Sequence, residues 1–141
     1  MDTPSIKQAT PLITVEDVDG CLPFWIDRLG FELLGTVPHE DATGFAMLKH
    51  GDMQLMYQSQ ASVQADLGAS GAPAGLAQEM GAATTTLFIE VESLDPVIAA
   101  LGEAPVIVPR RETFYGMDEI FVRAPCGTVV GFAAKLAGDE G

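Results

Sequence analysis

Few side chains in this sequence are suited to binding a metal or moving a proton near neutral pH. There are two histidines, His39 and His50, and two cysteines, Cys21 and Cys126. His39 stands in the polar stretch VPHEDATG and His50 opens His50-Gly51-Asp52, a turn sequence, so both read as exposed loop residues. Two cysteines do not make a disulfide framework. Cys21 lies on an apolar helical stripe and is expected to be buried. Cys126 lies in the turn Pro125-Cys126-Gly127 and is expected to be an exposed thiol without a role. A divalent-metal site needs imidazole, carboxylate or thiolate donors converging from several sides. With the histidines in loops, carboxylates such as Glu90 or Glu112 are what remain for an unconventional site.

A second cluster is richer. Phe114-Tyr115-Gly116 is followed by the acid pair Asp118-Glu119 and preceded by Arg110-Arg111. Adjacent residues of a strand face opposite sides, so at least one of Phe114 and Tyr115 is left to water or a ligand. The acid pair would give that segment a local negative field. The arginines have two readings. They hold an anionic ligand, or they pair with Glu112 or Asp118 on a neighbouring strand.

The chain carries 7 basic against 20 acidic residues, a net charge of −13. An acidic surface without a Lys/Arg cluster repels phosphate backbones and argues against nucleic acid. It would attract a cationic small molecule, although solubility alone accounts for such a charge. No apolar run approaches the roughly 18–20 residues of a membrane span. The opening MDTPSIKQAT lacks a basic segment leading into an apolar one, so no membrane and a cytoplasmic location are expected. At 141 residues, 48% of them hydrophobic, the chain suits one domain or two small modules sharing a core.

The elements that must position these residues show an internal repeat. When Leu12 is set against Phe88, Ile13, Val15, Glu16 and Asp19 fall on Ile89, Val91, Glu92 and Asp95, and Val18, Cys21 and Leu22 fall on Leu94, Val97 and Ile98. Each copy reads as a strand, PLITV or TLFIEV, then a helix. In the first helix Leu22, Trp25, Ile26 and Leu29 form one apolar stripe, with Trp25 expected in the core. Pro23 is tolerable only in a first turn, which predicts a start near Gly20, and Gly30 predicts the end. Leu94, Val97, Ile98 and Leu101 form the second stripe, closed by Gly102. Three strands follow each helix: FELLGTV, GFAMLKH and MQLMYQS, then PVIVPRR, DEIFVRA and TVVGFAA. The expected fold is α+β, two βαβββ modules at 9–59 and 83–136 whose curved mixed sheets, each with one face under its helix, enclose a cleft. Residues 60–82, rich in Ala, Gly and Ser, read as a linker with a helical turn around Ser62–Leu67, and 137–141 as a tail.

Paired βαβββ modules with D-V-x-G-x-x-x-F-W-x-x-R-L-G-F resemble the vicinal oxygen chelate superfamily: glyoxalase I, extradiol dioxygenases, and fosfomycin- and bleomycin-resistance proteins. The resemblance spans roughly Ala9 to Lys135. TPLITVEDVDGCLPFWIDRLGFE and the ending FYGMDEIFVRAPCGTVVGFAAK are most similar to the bleomycin-resistance branch. The resemblance implies a metal site, in the family's enzymes, with ligands from the first and last strands of each module. Those positions fall on Thr10, Gln54, Thr86 and Gly131. Neutral hydroxyls are weak donors and glycine has none, so no metal and no other cofactor is expected and Gln54 alone keeps a donor suited to the task.

The bleomycin-resistance branch implies instead a metal-free homodimer that sequesters a cationic drug with a flat aromatic tail, without modifying it. Binding of that kind needs stacking surfaces and negative potential. The residues here that match are Phe45, Tyr57, Phe114 and Tyr115, with Asp118 beside them; Met47, Gln54 and Arg111 complete the candidate ligand set. Phe88, Phe121 and Phe132 are expected in the core, as strand aromatics usually are. Two other classes compete: a lyase, isomerase or dioxygenase with a non-standard metal site using Gln54 and a nearby carboxylate, and a ligandless structural or regulatory remnant.

Overall fold

The computed structural model describes residues 4–5 and 7–137. The end of the expected tail and the side chain of Cys126 lie outside the described residues. Two compact units emerge. The first comprises residues up to Val18 and Phe31–Gly81; the second comprises Asp19–Gly30 and the chain from Ala82 onward.

The first unit holds a mixed sheet of β1 (Leu12–Val15), β2 (Glu32–His39), β3 (Ala42–His50) and β4 (Met53–Ser59), in the order β1-β4-β3-β2. β1 runs parallel to β4 and the remaining pairs are antiparallel. Burial alternates along β3 and β4, the signature of a sheet with one covered face. Ala46, Leu48, Leu55 and Tyr57 are fully buried, while Phe45, Met47, Gln54, Met56 and Gln58 beside them are half-buried and Lys49 is exposed.

The stretch expected to be a linker contains two helices, α2 (Gln60–Ser70) and α3 (Leu76–Ala82). The Ser59 hydroxyl accepts from the Ser62 amide at 3.1 Å and caps α2. Gly71, at φ 77°, ends it in the left-handed conformation. Alanine-rich composition, which resembles a linker, is also good helix-forming composition once a cap is present.

The second unit repeats the order: β5 (Thr86–Glu90), β6 (Val106–Glu112), β7 (Met117–Arg123) and β8 (Val129–Lys135) form a sheet ordered β5-β8-β7-β6, with β5 parallel to β8. Helix α4 (Leu94–Leu101) buries Leu94 and Leu101 and packs on β8.

The helical segment 19–30 belongs to this unit and not to the sheet that flanks it in sequence. Arg28 donates to the Leu101 carbonyl at the end of α4, and the Cys21 thiol lies 3.7 Å from the Pro125 carbonyl. The expectation that each sheet is covered by its own module's helix is therefore corrected. An apolar stripe specifies burial but not which sheet provides it. Helix α1 (Val18–Pro23) also starts earlier than expected. Pro23 sits at its last position, and the chain continues as a π-helical turn, Phe24–Arg28. Proline lacks the amide and crowds the carbonyl four residues back, and a widened turn relieves both. Trp25 and Cys21 are fully buried, as their stripe predicts.

Candidate functional site

The open face of the second sheet gathers the unusual side chains. In the register, Phe88 of β5 pairs with Gly131 of β8, which pairs with Phe121 of β7. One step along, Glu90 pairs with Ala133, Ala133 with Glu119, and Glu119 with Arg111 of β6. Side chains two apart on a strand share a face, so these two rows form one surface with small residues on β8 as its floor.

Phe88 was expected in the core, yet it is 55% exposed. Its ring lies 6.3 Å from that of Phe121 at 43°. Gly131 is what lets Phe121 lie down: a Cβ there would sit 2.5 Å from the ring. Phe132, the neighbour of Gly131 on the opposite face, is buried as expected. The exposure of Phe88 was hidden because strand alternation alone does not say which face is covered.

Beside the aromatic pair is a carboxylate removed from solvent. Glu119 is fully buried. Its Oε1 accepts from Arg111 Nε at 3.1 Å, from Arg111 Nη2 at 2.8 Å and from the Tyr115 hydroxyl at 2.8 Å. Its Oε2 finds no hydrogen-bond partner among the described residues. The carboxylate raises the Arg111 pKa above its ordinary value, chiefly through this hydrogen bond. Glu119 was not among the candidate ligand residues; the signal for it was its place one residue beyond Asp118, in register with Arg111.

Tyr115 is 49% exposed and Phe114 fully exposed, their rings edge-to-face at 5.1 Å. Gly116 adopts φ 83° and turns the hairpin that holds them. Arg110 and Asp118 face the other way from Arg111 and Glu119. Arg110 bonds Asp118 at 2.8 and 3.1 Å and reaches Asp95 on α4 at 2.8 Å. The Arg110 guanidinium holds the Asp118 carboxyl below its ordinary pKa. Asp118 and Glu119 are thus not a paired negative field: alternation separates them and each is matched by an arginine. Of the two readings of the arginines, strand pairing is the one found.

In the first unit, Phe45, Met47 and Gln54 share the half-open face of their sheet, where Phe45 pairs with Gln58, Met47 with Met56 and Lys49 with Gln54. Tyr57 lies on the opposite face, fully buried, so it does not join them as a stacking surface. His39 ends β2 and is not in a loop. It is half-buried at the rim of a cavity of about 240 Å³ shared with Glu16, Asp17, Glu40 and Asp41. His50 is exposed and ends β3.

The family's metal positions do not fit a metal. Thr10 precedes β1, with its hydroxyl accepting from Gln8 Nε2. Gln54 is on the first sheet. Thr86 is exposed, and any side chain at Gly131 would enter the space of the Phe121 ring. Of the four, Gln54 alone offers a carbonyl donor, and the set supplies no imidazole, thiolate or carboxylate. Among the described residues no three His, Cys, Asp or Glu side chains gather as a metal site. None of the described helices is long and apolar enough to cross a membrane.

No family sequence model matches the chain, and no curated protein sequence matches it. Solved structures do. A glyoxalase/bleomycin resistance protein/dioxygenase from Nocardioides superposes with a TM-score of 0.69 at 20% identity, covering 96% of this chain and 88% of its own. TioX from Micromonospora sp. ML1 gives 0.71 at 18%, covering 92% and 99%. TnmS3, an antibiotic binding protein from Streptomyces sp. CB03234, gives 0.66 at 18%, covering 94% and 99%. The two four-stranded mixed sheets of this chain therefore have the fold of the glyoxalase/bleomycin resistance protein/dioxygenase structures.

Proposed function

We propose that this protein binds, without chemically altering it, a small aromatic molecule, and that the open face of the second sheet is its stacking platform. The observation that carries the reading is the exposed Phe88 beside Phe121 over a glycine and alanine floor. A half-exposed aromatic pair on a strand face gains little from folding and is suited to a flat partner. Tyr115 and Phe114 supply further rings at the hairpin. Glu119 Oε2 supplies an acceptor for a ligand N–H once Tyr115 and Arg111 shift aside. The net charge of −13 favours a cation over an anion at this face. The structural likeness to an antibiotic binding protein is consistent with an antibiotic or a metabolite of similar shape.

Phe45, Met47 and Gln54, on the half-open face of the first sheet, are the second set of ligand-facing residues in this reading. Tyr57 is excluded from contact by its burial. The protein functions as a homodimer. Every residue from Glu32 to Pro38 of β2 is exposed, Leu33, Leu34 and Val37 among them, and an apolar edge of this kind calls for a cover. Light scattering at micromolar concentration is expected to give about twice the 14.9 kDa chain mass.

The test is a thermal-shift series with bleomycin-type glycopeptides and other aromatic cations. A ligand of the folded state raises the melting temperature with concentration. A library without a single shift overturns the binding reading and favours a ligandless remnant. Stoichiometric, tightly held metal after incubation with Ni²⁺, Zn²⁺, Mn²⁺ or Fe²⁺ would favour the enzymatic class.

A further inference from the structure

A cavity of about 450 Å³ opens in the second unit between the π-helical turn after α1, the α4–β6 loop and the β7–β8 turn. Its size is that of a small-ligand site. Pro23, Pro105 and Pro125 and the ring of Phe24 form much of its wall. Proline fixes φ, so three of these wall positions are stiff without a ligand. Phe24 is held edge-to-face against Trp25 at 5.1 Å and is itself buried.

Two exposed guanidinium groups, Arg28 and Arg123, stand at the mouth of this largely apolar cavity. One N–H of each is taken by a backbone carbonyl. Arg28 donates to Leu101, and Arg123 donates to Gly127 at 2.9 Å. Those bonds orient the groups and leave most of their donors over. Arg110 and Arg111 are both matched by carboxylates. Among the described residues Arg28 and Arg123 form no ion pair, although the chain has 20 acidic residues for its 7 basic ones. Glu103 is the one carboxylate among the lining residues, and it too forms no ion pair among the described residues. The cavity thus reverses the sign of the chain as a whole.

We propose that this cavity is a second ligand site, distinct from the sheet face, and that it takes a small organic anion with a planar carboxylate and a compact apolar body, such as an aromatic carboxylate. A guanidinium matches a carboxylate as a fork and is weakly hydrated, so it tolerates apolar walls. The prolines and Phe24 would cover the body. An inorganic anion would leave those walls against water. The sheet face and this cavity differ in charge and select different molecules.

The test uses the full-length protein labelled with ¹⁵N and titrated with sodium benzoate at constant ionic strength, with benzamide and benzylamine as the neutral and cationic counterparts. Benzoate is expected to shift the amides of residues 24–28, 103–104, 123–124 and 126–127 saturably, while benzamide and benzylamine do not. Arg123→Gln is expected to weaken benzoate binding by about tenfold or more. Arg28 also ties down the end of α4, so Arg28→Lys is the variant there, keeping the charge but losing the fork, with an intermediate loss. Phe88→Ala is expected to leave benzoate binding unchanged. Non-saturating shifts, equal binding of benzamide, or full affinity in Arg123→Gln would overturn the proposal. So would loss of benzoate binding in Phe88→Ala, which would move the anion to the sheet face.

Discussion

Tyr115 and Glu119, four residues apart around a hairpin, are joined by a 2.8 Å hydrogen bond from the phenol to a carboxylate with no exposed surface. The bond places an exposed ring over a buried carboxylate, and Arg111 closes the other side. A carboxylate withdrawn from water is costly to bury unless its oxygens are hydrogen-bonded. This triad is therefore both a structural tie and the polar part of the proposed ligand face.

Removing the two donors should have unequal effects. Tyr115→Phe deletes one hydrogen bond and is expected to cost about 1 kcal/mol in urea unfolding. Arg111→Ala removes two hydrogen bonds and leaves the buried carboxylate with only the phenol, and a clearly larger loss than that of Tyr115→Phe is expected in the same measurement. Equal costs for the two variants would mean that the cation contributes nothing beyond its hydrogen bonds.

Phe88→Ala separates binding from folding. The ring is more exposed than buried, so unfolding free energy should change by no more than about 0.5 kcal/mol. Affinity for an aromatic ligand found in the thermal-shift series should drop about tenfold or more, in line with the loss of a stacking surface. Unchanged affinity would move the ligand off this face.

Gly131→Ala tests the floor. A methyl there meets the Phe121 ring at 2.5 Å, so the ring must move, at a cost of about 1–3 kcal/mol if its surroundings resist. Proton chemical shifts of the Phe121 and Phe88 rings should move with it. An unperturbed aromatic spectrum would show that the ring does not lie on Gly131 in solution.

Arg110 ties β7 to α4, and its effect should depend on pH. The folded pKa of Asp118 is lowered, chiefly by its hydrogen bond from Arg110. Its contribution is present above the unfolded carboxylate value of about 4 and is lost as pH falls through the lowered folded value. Arg110→Gln should lower the urea midpoint slightly at pH 7, since the arginine is well exposed, and by less at high salt. In acid the variant and the parent should converge. A gap that persists once Asp118 is protonated in the folded state as well would assign the loss to packing instead.

Much of this architecture was legible along the chain. The echo between Leu12–Asp19 and Phe88–Asp95 predicts equivalent sheets, and both have the same strand order. Gly30 and Gly102 mark helix ends at positive φ, 77° and 58°. Helix α2 was legible only as one turn, because its apolar residues are few and its cap, Ser59, doubles as the last residue of a strand. The site was legible in part. Phe114, Tyr115 and Arg111 stand out by type and spacing, whereas Glu119 and Phe88 look like ordinary strand residues until the register is known.

Taken alone, the sequence determined local matters: the βαβββ repeat, the turns, the apolar stripes, the excess of acid and the poverty of metal donors at Thr10, Gln54, Thr86 and Gly131. These follow from periodicity and residue chemistry, which act over a few residues. The tertiary structure decided what depends on distant neighbours: that residues 19–30 pack in the second unit, that Tyr57 is covered while Phe88 is open, and that Asp118 and Glu119 part to separate arginines. Alternation says that two faces differ, but only packing between remote segments selects which of them is withdrawn from water.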